Sequence, residues 1–157
     1  MNELSAVNEA VEVNELSVPV DDGFCIGCGR HAETGLHMEF ATRDDRSVES
    51  RLTVSRRYQG WRGVVHGGVV ALLLDEAMAY AAGARGIVGV TADLRMRFRK
   101  AVPIDAPLIV RGCMLWQRRN VLGVTATVQN ARGTVLASGE GRFVARGTLR
   151  PGERLGA

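Results

Sequence analysis

Two kinds of residue able to do chemistry stand close together in the stretch GVVHGGVVALLLDEAMAYAAG, which covers residues 63–83. His66, Gly67 and Gly68 come first, and the acidic pair Asp75 and Glu76 follows inside an otherwise apolar run. An ionised carboxylate that leaves water without a partner is strongly disfavoured. The acidic pair therefore predicts either a buried partner for each carboxylate or a chemical role.

The residue types predict a site in which a carboxylate faces backbone amides. The first amides of a helix have no partner within it and lie at the positive end of its dipole, so they suit a developing oxyanion. Glycine at positions 67 and 68 lets a substrate approach the backbone closely. A facing carboxylate can act as a general base toward water or as a nucleophile. The alternatives are a plain turn at the glycines and a structural hydrogen bond or ion pair for the carboxylate.

The separation of His66 and Asp75 predicts that one site draws on two chains. Nine residues advance a helix by about 13.5 Å and turn it to the opposite side. The two residues therefore cannot meet within one chain, whereas a two-fold dimer brings them together twice. We expect a homodimer, or a dimer of such dimers.

The rest of the chain has the pattern of strands around a single helix. Residues 36–41 and 48–54 alternate about the turn TRDDRS and predict a hairpin, and further strands are expected near 88–98, 108–117, 121–130 and 135–145. The helix, at about 68–84, is apolar around its whole circumference and must be buried on every side. These features predict an α+β fold, an antiparallel sheet of about six strands wrapped around one long central helix.

The segments QGWRGVVHGGVVALLLDEAM and GVTADLRMRFRKAVPI resemble hotdog-fold acyl-CoA thioesterases of the PaaI-like group in the 4-hydroxybenzoyl-CoA thioesterase superfamily. The matching motif is His-Gly-Gly, an aspartate nine positions after the histidine, and a threonine near the next strand's start. The resemblance implies that the Gly67 amide polarises the thioester carbonyl and that His66 orders the loop before it. It implies that Asp75 of a partner chain is base or nucleophile, and that Thr91 positions the water. It further implies an acyl-CoA substrate, no cofactor and the hotdog form of the fold.

Other positions near this motif carry expectations of their own. The period-two pattern of residues 88–98 turns Thr91 away from the helix, unless a bulge changes its direction. Some relatives carry an asparagine six positions before the histidine. Here that position is Gly60, and the adjacent Gln59 either contacts the thioester or is a turn residue. Gly68 is expected to lie against the substrate. Glu76 matches no family role, and we expect it at the edge of the core or at an interface.

The turn Cys25-Ile26-Gly27-Cys28-Gly29, with His31 and His37 after it, has three interpretations. Such a turn can ligate zinc, form a redox pair or simply be a tight glycine-rich turn. A complete structural zinc site would normally show a second closely spaced pair of ligands, which the sequence lacks. We therefore predict a turn without a stoichiometric metal ion. Cys113, inside an expected strand, is interpreted as a small buried apolar side chain.

Charge and composition limit the classes of binding partner that the sequence supports. The formal net charge of +3 suits an anionic ligand but is too small to argue for nucleic acid, and only 5% of the residues are aromatic. Arg99 and Lys100, just before a proline turn, are the preferred contacts for the phosphates of coenzyme A, although a solvated basic sheet face would look the same. A non-catalytic acyl-CoA-binding protein is the alternative to an enzyme.

The chain is expected to form one folded unit with weaker ends. Residues 1–22 are interpreted as a weakly ordered acidic arm, 23–146 as the hotdog domain and 147–157 as a loose basic tail. No apolar run approaches the roughly 20 residues of a membrane-spanning helix. The first residues also lack the features of a signal peptide, so we expect a cytoplasmic protein with reduced cysteines and no membrane partner.

Overall fold

The structure is a computed structural model that describes Pro19 and residues 21–156. Almost all of the expected N-terminal arm therefore lies outside the described residues. The described part contains six strands, one long helix and one 3₁₀ turn. The strands are β1 (Ala41–Thr42), β2 (Val48–Thr53), β3 (Ile87–Phe98), β4 (Pro107–Arg118), β5 (Val121–Asn130) and β6 (Val135–Thr148). The helix α1 is Gly67–Gly83, and the 3₁₀ turn is Arg56–Tyr58.

The strands form one sheet in the order β1-β2-β4-β5-β6-β3, and every neighbouring pair is antiparallel. β4, β5 and β6 follow one another as hairpins. The helix lies between β2 and β3 in the chain, so the connection through α1 carries β3 to the edge of the sheet opposite β1. This arrangement confirms the expected α+β hotdog architecture.

The sheet covers α1 along most of its length, because the helix is apolar on every side. Its buried apolar residues are Val70, Leu73, Leu74, Ala77, Met78, Ala81 and Ala82. Gly112 on β4 marks the closest approach, since a Cβ atom there would lie 2.1 Å from the carbonyl oxygen of Ala77. Only glycine allows the strand so near the helix backbone. Neither α1 nor any other helix of the described residues is long and apolar enough to cross a membrane.

Two strand boundaries differ from the expected ones. Residues 36–40 do not join the sheet, so the first strand of the expected hairpin is only Ala41–Thr42. His37 has a φ of 49°, which interrupts the extended alternation. β6 continues past its expected end near residue 145, because Gly147 and Thr148 pair with the start of β3.

The residues after β6 contact the body of the fold. The Gly156 amide donates a hydrogen bond of 2.8 Å to a carboxylate oxygen of Asp21, and Leu149 donates its amide to the carbonyl of Gly86. Leu155 packs so closely on the end of α1 that a Cβ atom at Gly83 would lie 2.6 Å from it. The division of the chain into arm, domain and tail remains a prediction.

Candidate active site

The N-terminus of α1 presents a backbone amide without an acceptor. His66 is the N-cap, and its Nδ1 accepts a hydrogen bond of 2.9 Å from the Gly68 amide. The His66 carbonyl accepts from the amides of Val69 and Val70. Among residues 21–156, no hydrogen bond involves the Gly67 amide, and a Cβ atom at this position would meet only Phe98, at 3.9 Å. His66 therefore accepts the hydrogen bond of the Gly68 amide, and the Gly67 amide remains available as a donor.

The loop before the helix holds His66 through its backbone. The His66 amide donates to the carbonyl of Tyr58, and the side-chain oxygen of Gln59 accepts a 2.9 Å hydrogen bond from the Gly63 amide. A Cβ atom at Gly60 would lie 3.0 Å from the His66 Cα, so a longer side chain there requires the loop to shift. Gln59 thus closes the turn, and its contact with a substrate remains a prediction. A cleft of about 340 Å³ opens beside this loop, with the exposed Trp61 on one wall.

Asp75 receives its hydrogen bond from the strand next to it. The Thr91 hydroxyl donates to Asp75 Oδ1 at 2.8 Å. The register of β3 against β6 shifts between Val88 and Gly89 and again between Thr91 and Asp93. These irregularities change the direction of the side chains, so simple alternation was wrong in turning Thr91 away from the helix. Asp75 is half-buried and Thr91 is exposed, which leaves the pair open to a ligand.

Within one chain, the two halves of the expected site are associated with different parts of β3. Thr91 contacts Asp75, whereas Phe98, at the end of the strand, lies beside Gly67. Arg99 and Lys100 follow Phe98 directly, and both donate their amides to the Leu136 carbonyl, at 2.8 and 3.0 Å. Their side chains are exposed. The structure therefore places Arg99 and Lys100 just beyond the end of β3 that lies beside Gly67. It places Thr91, nearer the start of β3, in contact with Asp75.

A second cluster lies one residue further along the helix. Glu76 is 8% exposed, and the Cys25 thiol donates to its two carboxylate oxygens at 3.6 and 3.7 Å. Burial raises the pKa of Glu76, although hydrogen bonds from the Cys28 and Cys25 thiols oppose the rise. Burial also raises the pKa of the Cys28 thiol, and Glu76 raises it further. The helix thus has a partner for each of its two carboxylates.

The histidines after the cysteine turn do not join this cluster. The His37 ring pairs with the Gly29 carbonyl at 3.0 Å, and His31 lies against the ring of Phe24. Glu76 does join the cysteines, and the sequence did not predict this contact. Its only signal there was a carboxylate inside an apolar helix, and no spacing rule links it to a turn 51 residues earlier.

Comparison with known proteins identifies the matching region. Residues 62–137 match the family model described as "Thioesterase superfamily". This span contains α1, β3, Asp75, Thr91, Arg99 and Lys100, and it excludes the cysteine turn. Acyl-coenzyme A thioesterase THEM4 of Rattus norvegicus is 28% identical over 104 residues, which are 64% of this chain and 45% of the relative. The chain thus spans about half the length of this curated relative.

Solved structures share the fold. A thioesterase superfamily protein is 31% identical, with a TM-score of 0.75, over 78% of this chain and 60% of its own. A hypothetical thioesterase protein from Streptococcus pneumoniae TIGR4, solved with coenzyme A, is 22% identical with a TM-score of 0.67. That alignment covers 72% of this chain and 91% of the other. The second likeness supports the fold alone.

Proposed function

We propose that this chain, whose residues 62–137 match the thioesterase superfamily model, hydrolyses the thioester of an acyl- or aryl-coenzyme A. Water adds to the thioester carbonyl, the carbon–sulfur bond breaks, and the products are the free acid and the thiol of coenzyme A. The observation that carries the proposal is the pairing of Thr91 with a half-buried Asp75 in a chain whose Gly67 amide has no acceptor among the described residues.

The Gly67 amide is the proposed oxyanion donor. It lies at the first position of α1, where the helix dipole and an unpaired N–H both favour a negative charge. His66 holds the neighbouring Gly68 amide, which fixes the turn and keeps the loop in place. The glycine at 67 also leaves room for the thioester carbonyl, because among the described residues a Cβ atom there would meet only Phe98, at 3.9 Å.

Asp75 is the proposed general base or nucleophile. Thr91 holds one of its oxygens by donating a hydrogen bond, so the other oxygen can face water or the thioester. This contact makes Thr91 a positioning residue for the carboxylate in addition to its expected role toward water. Either role of Asp75 requires the carbonyl carbon to lie between the carboxylate and the Gly67 amide.

A dimer through the open edge of β3 would assemble the site. β3 is twelve residues long and, within the described part of the chain, pairs on one side only, with β6, while Val90 and Phe98 remain 41% and 58% exposed. A long unpaired edge of this kind favours pairing with another chain. Antiparallel pairing of two β3 strands about a two-fold axis between Leu94 and Arg95 would set Thr91 opposite Phe98 of the second copy. Since Thr91 contacts Asp75 and Phe98 lies beside Gly67, each Asp75 would face a Gly67 across the interface.

The exposed side chains of Arg99 and Lys100 are the proposed contacts for the coenzyme A phosphates. Both residues follow Phe98 at the Gly67 end of the strand, and their amides are fixed on Leu136. Guanidinium and ammonium groups bind phosphate through charge-assisted hydrogen bonds. The hypothetical thioesterase from Streptococcus pneumoniae, which shares the fold, was solved with coenzyme A, the ligand whose phosphates are proposed to bind here.

The proposal is tested by thiol release from a panel of acyl-CoAs that covers short, long and aromatic acyl groups. Wild-type protein is expected to release free thiol from at least one of them. Asp75→Asn, which keeps the size of the side chain and removes its basicity, should lower kcat about 10²- to 10⁴-fold while the protein stays folded. Wild-type turnover in a folded Asp75→Asn variant would refute the mechanism. Tight binding of acyl-CoA without thiol release from any member would favour the non-catalytic acyl-CoA-binding alternative.

A further inference from the structure

The cysteine turn and α1 bring three metal-ligating side chains together, next to Asp75 but outside its hydrogen-bond network. We propose that Cys25, Cys28 and Glu76 bind one zinc ion, with water as its fourth ligand. The inference does not rest on the proposed thioesterase activity. It replaces the sequence-based expectation of a metal-free turn, because the ligand that the turn lacked comes from the helix.

The ligand atoms already have nearly the spacing of a zinc site. The two sulfur atoms and a carboxylate oxygen of Glu76 all lie within 4.8 Å of one another. In a tetrahedral site, zinc–sulfur and zinc–oxygen bonds place a sulfur and an oxygen ligand about 3.5 Å apart, and two sulfurs about 3.8 Å apart. The Cys25 sulfur lies 3.6 and 3.7 Å from the oxygens of Glu76. Binding therefore requires side-chain shifts of at most about 1 Å.

The turn is shaped to receive the carboxylate. A Cβ atom at Gly27 would lie 2.6 Å from the Cδ and Oε2 atoms of Glu76, so the carboxylate packs directly on the glycine. The Gly27 amide donates to the Cys25 sulfur at 3.3 Å, and the Gly29 amide donates to the Cys25 carbonyl at 2.8 Å. An amide directed at the sulfur stabilises the thiolate form that a metal requires. The turn thus positions both the Cys25 sulfur as a ligand and the Gly27 amide that stabilises its thiolate form.

The charges around Glu76 favour a bound cation. The ion pairs in the described part of the chain all involve Glu49, so Glu76 has no lysine, arginine or histidine partner there. The neighbours that influence Glu76 are the two thiols, Asp75 and Asp21, all of them neutral or acidic. A thiol is a weak hydrogen-bond donor and compensates poorly for a buried carboxylate. A divalent ion would satisfy the carboxylate and release the two thiol protons to solvent.

The ligand types in the cluster indicate which metal ion it would bind. Two thiolates and one carboxylate favour zinc over magnesium or calcium, which prefer oxygen ligands throughout. The three side chains border a cavity of about 400 Å³ that Tyr80 and Val88 also line. This space allows water to take the remaining tetrahedral position.

The test is metal content and affinity of the untagged full chain purified under reducing conditions. After loading with zinc and removal of unbound ion, elemental analysis should give about one zinc per chain. Cys25→Ser and Cys28→Ser should each abolish this, and Glu76→Gln should weaken zinc affinity at least tenfold against a chromophoric chelator. Cys113→Ser is the matched control, because it removes the third cysteine, on β4, and should retain about one zinc per chain.

Cobalt gives a second measurement that needs no variant. Co²⁺ bound by the wild-type chain should show the near-ultraviolet charge-transfer band of cysteine thiolates together with the visible bands of tetrahedral cobalt. Absence of both zinc and the cobalt spectrum in folded wild-type protein would overturn the inference. Full zinc retention in a folded Cys25→Ser/Cys28→Ser variant would overturn it equally.

Discussion

At the residue scale, the catalytic proposal depends on the hydrogen bond between the Thr91 hydroxyl and the Asp75 carboxylate. Thr91→Val keeps the shape of the side chain and removes the 2.8 Å hydrogen bond to Asp75. Losing a hydrogen bond to a charged group costs about 1.5–3 kcal/mol. We expect kcat to fall at least tenfold with little change in KM, measured with the best substrate of the acyl-CoA panel.

Thr125→Val is the matched control for this prediction. The Thr125 hydroxyl donates to the Gly139 carbonyl at 2.9 Å, so the variant also loses one hydroxyl hydrogen bond, but away from Asp75. It should keep wild-type kcat. An equal loss of kcat in both variants would mean that the Thr91 effect reflects the sheet and not the carboxylate.

The sequence proposed candidate residues for the site, but it could not predict the contacts that those residues make. His66, Gly67 and Asp75 follow from residue type, spacing and resemblance, because a helix has a fixed rise and rotation. The contact between Thr91 and Asp75 depends on a register shift in β3, which alternation could not predict. The contact between Glu76 and Cys25 joins residues 51 positions apart, and local spacing does not encode such contacts.

At the scale of elements, the open edge of β3 predicts slow hydrogen exchange if the strand pairs with a second chain. The β3 amides that do not bond β6 would then be protected at high protein concentration and would exchange faster after dilution into the monomer range. Hydrogen–deuterium exchange of peptides covering residues 87–98 measures this. The internal reference is β5, which has a strand on both sides. Fast exchange in β3 at every concentration would argue against this edge as the interface.

A buried carboxylate joins β2 to β4 and predicts a pH dependence of stability. Glu49 accepts from Arg111, Arg51 and Arg43 at 2.7, 2.9 and 3.0 Å. Burial alone would raise the pKa of Glu49, but the Arg111 hydrogen bond and the three arginine charges hold it below its usual value. Because the folded-state pKa is depressed, the stabilisation is present above the unfolded-state pKa and is lost as pH falls through the folded-state pKa.

Glu49→Gln should therefore lower the free energy of unfolding by about 1–3 kcal/mol at pH 7. The difference from wild type should shrink as the pH falls below 4.5, the ordinary value for glutamate. Urea unfolding at a series of pH values measures this. Glu140→Gln, at an exposed glutamate outside the ion pairs, is the control and should change stability little. A pH-independent difference for Glu49→Gln would contradict the electrostatic explanation.

The elements themselves were largely predictable. The helix and the strands from β3 to β6 follow from periodicity, because apolar spacing records which faces are buried. The positive φ of His37 and the close approach at Gly112 were not predictable, since both depend on how the elements pack.

At the scale of the whole molecule, the central claim is that each active site combines Asp75 of one chain with the Gly67 amide of another. The two residues lie eight positions apart on α1, about 12 Å along its axis, so one chain alone cannot bring them together. Two inactive variants should therefore restore activity when they share a dimer. The claim needs a variant that removes the Gly67 amide without disturbing the helix.

Gly67→Pro meets this requirement. Proline is tolerated at the first position of a helix, where its missing N–H leaves no helical bond unmade. His66 already has φ −56° and ψ 136°, the extended conformation that a following proline favours, and a Cβ atom at 67 has only Phe98 within 4 Å. Gly67→Ala is the control, because it adds a methyl group but keeps the amide.

The most direct test is the activity of dimers formed by co-refolding Asp75→Asn with Gly67→Pro. Each variant alone should be nearly inactive, whereas a mixed dimer has one site with both lesions and one intact site. Random mixing at equal concentrations makes about half of the dimers mixed, so activity should recover to about a quarter of wild type per chain. Persistent inactivity in a sample whose mixed dimers are demonstrated by native mass spectrometry would contradict a site shared between two chains.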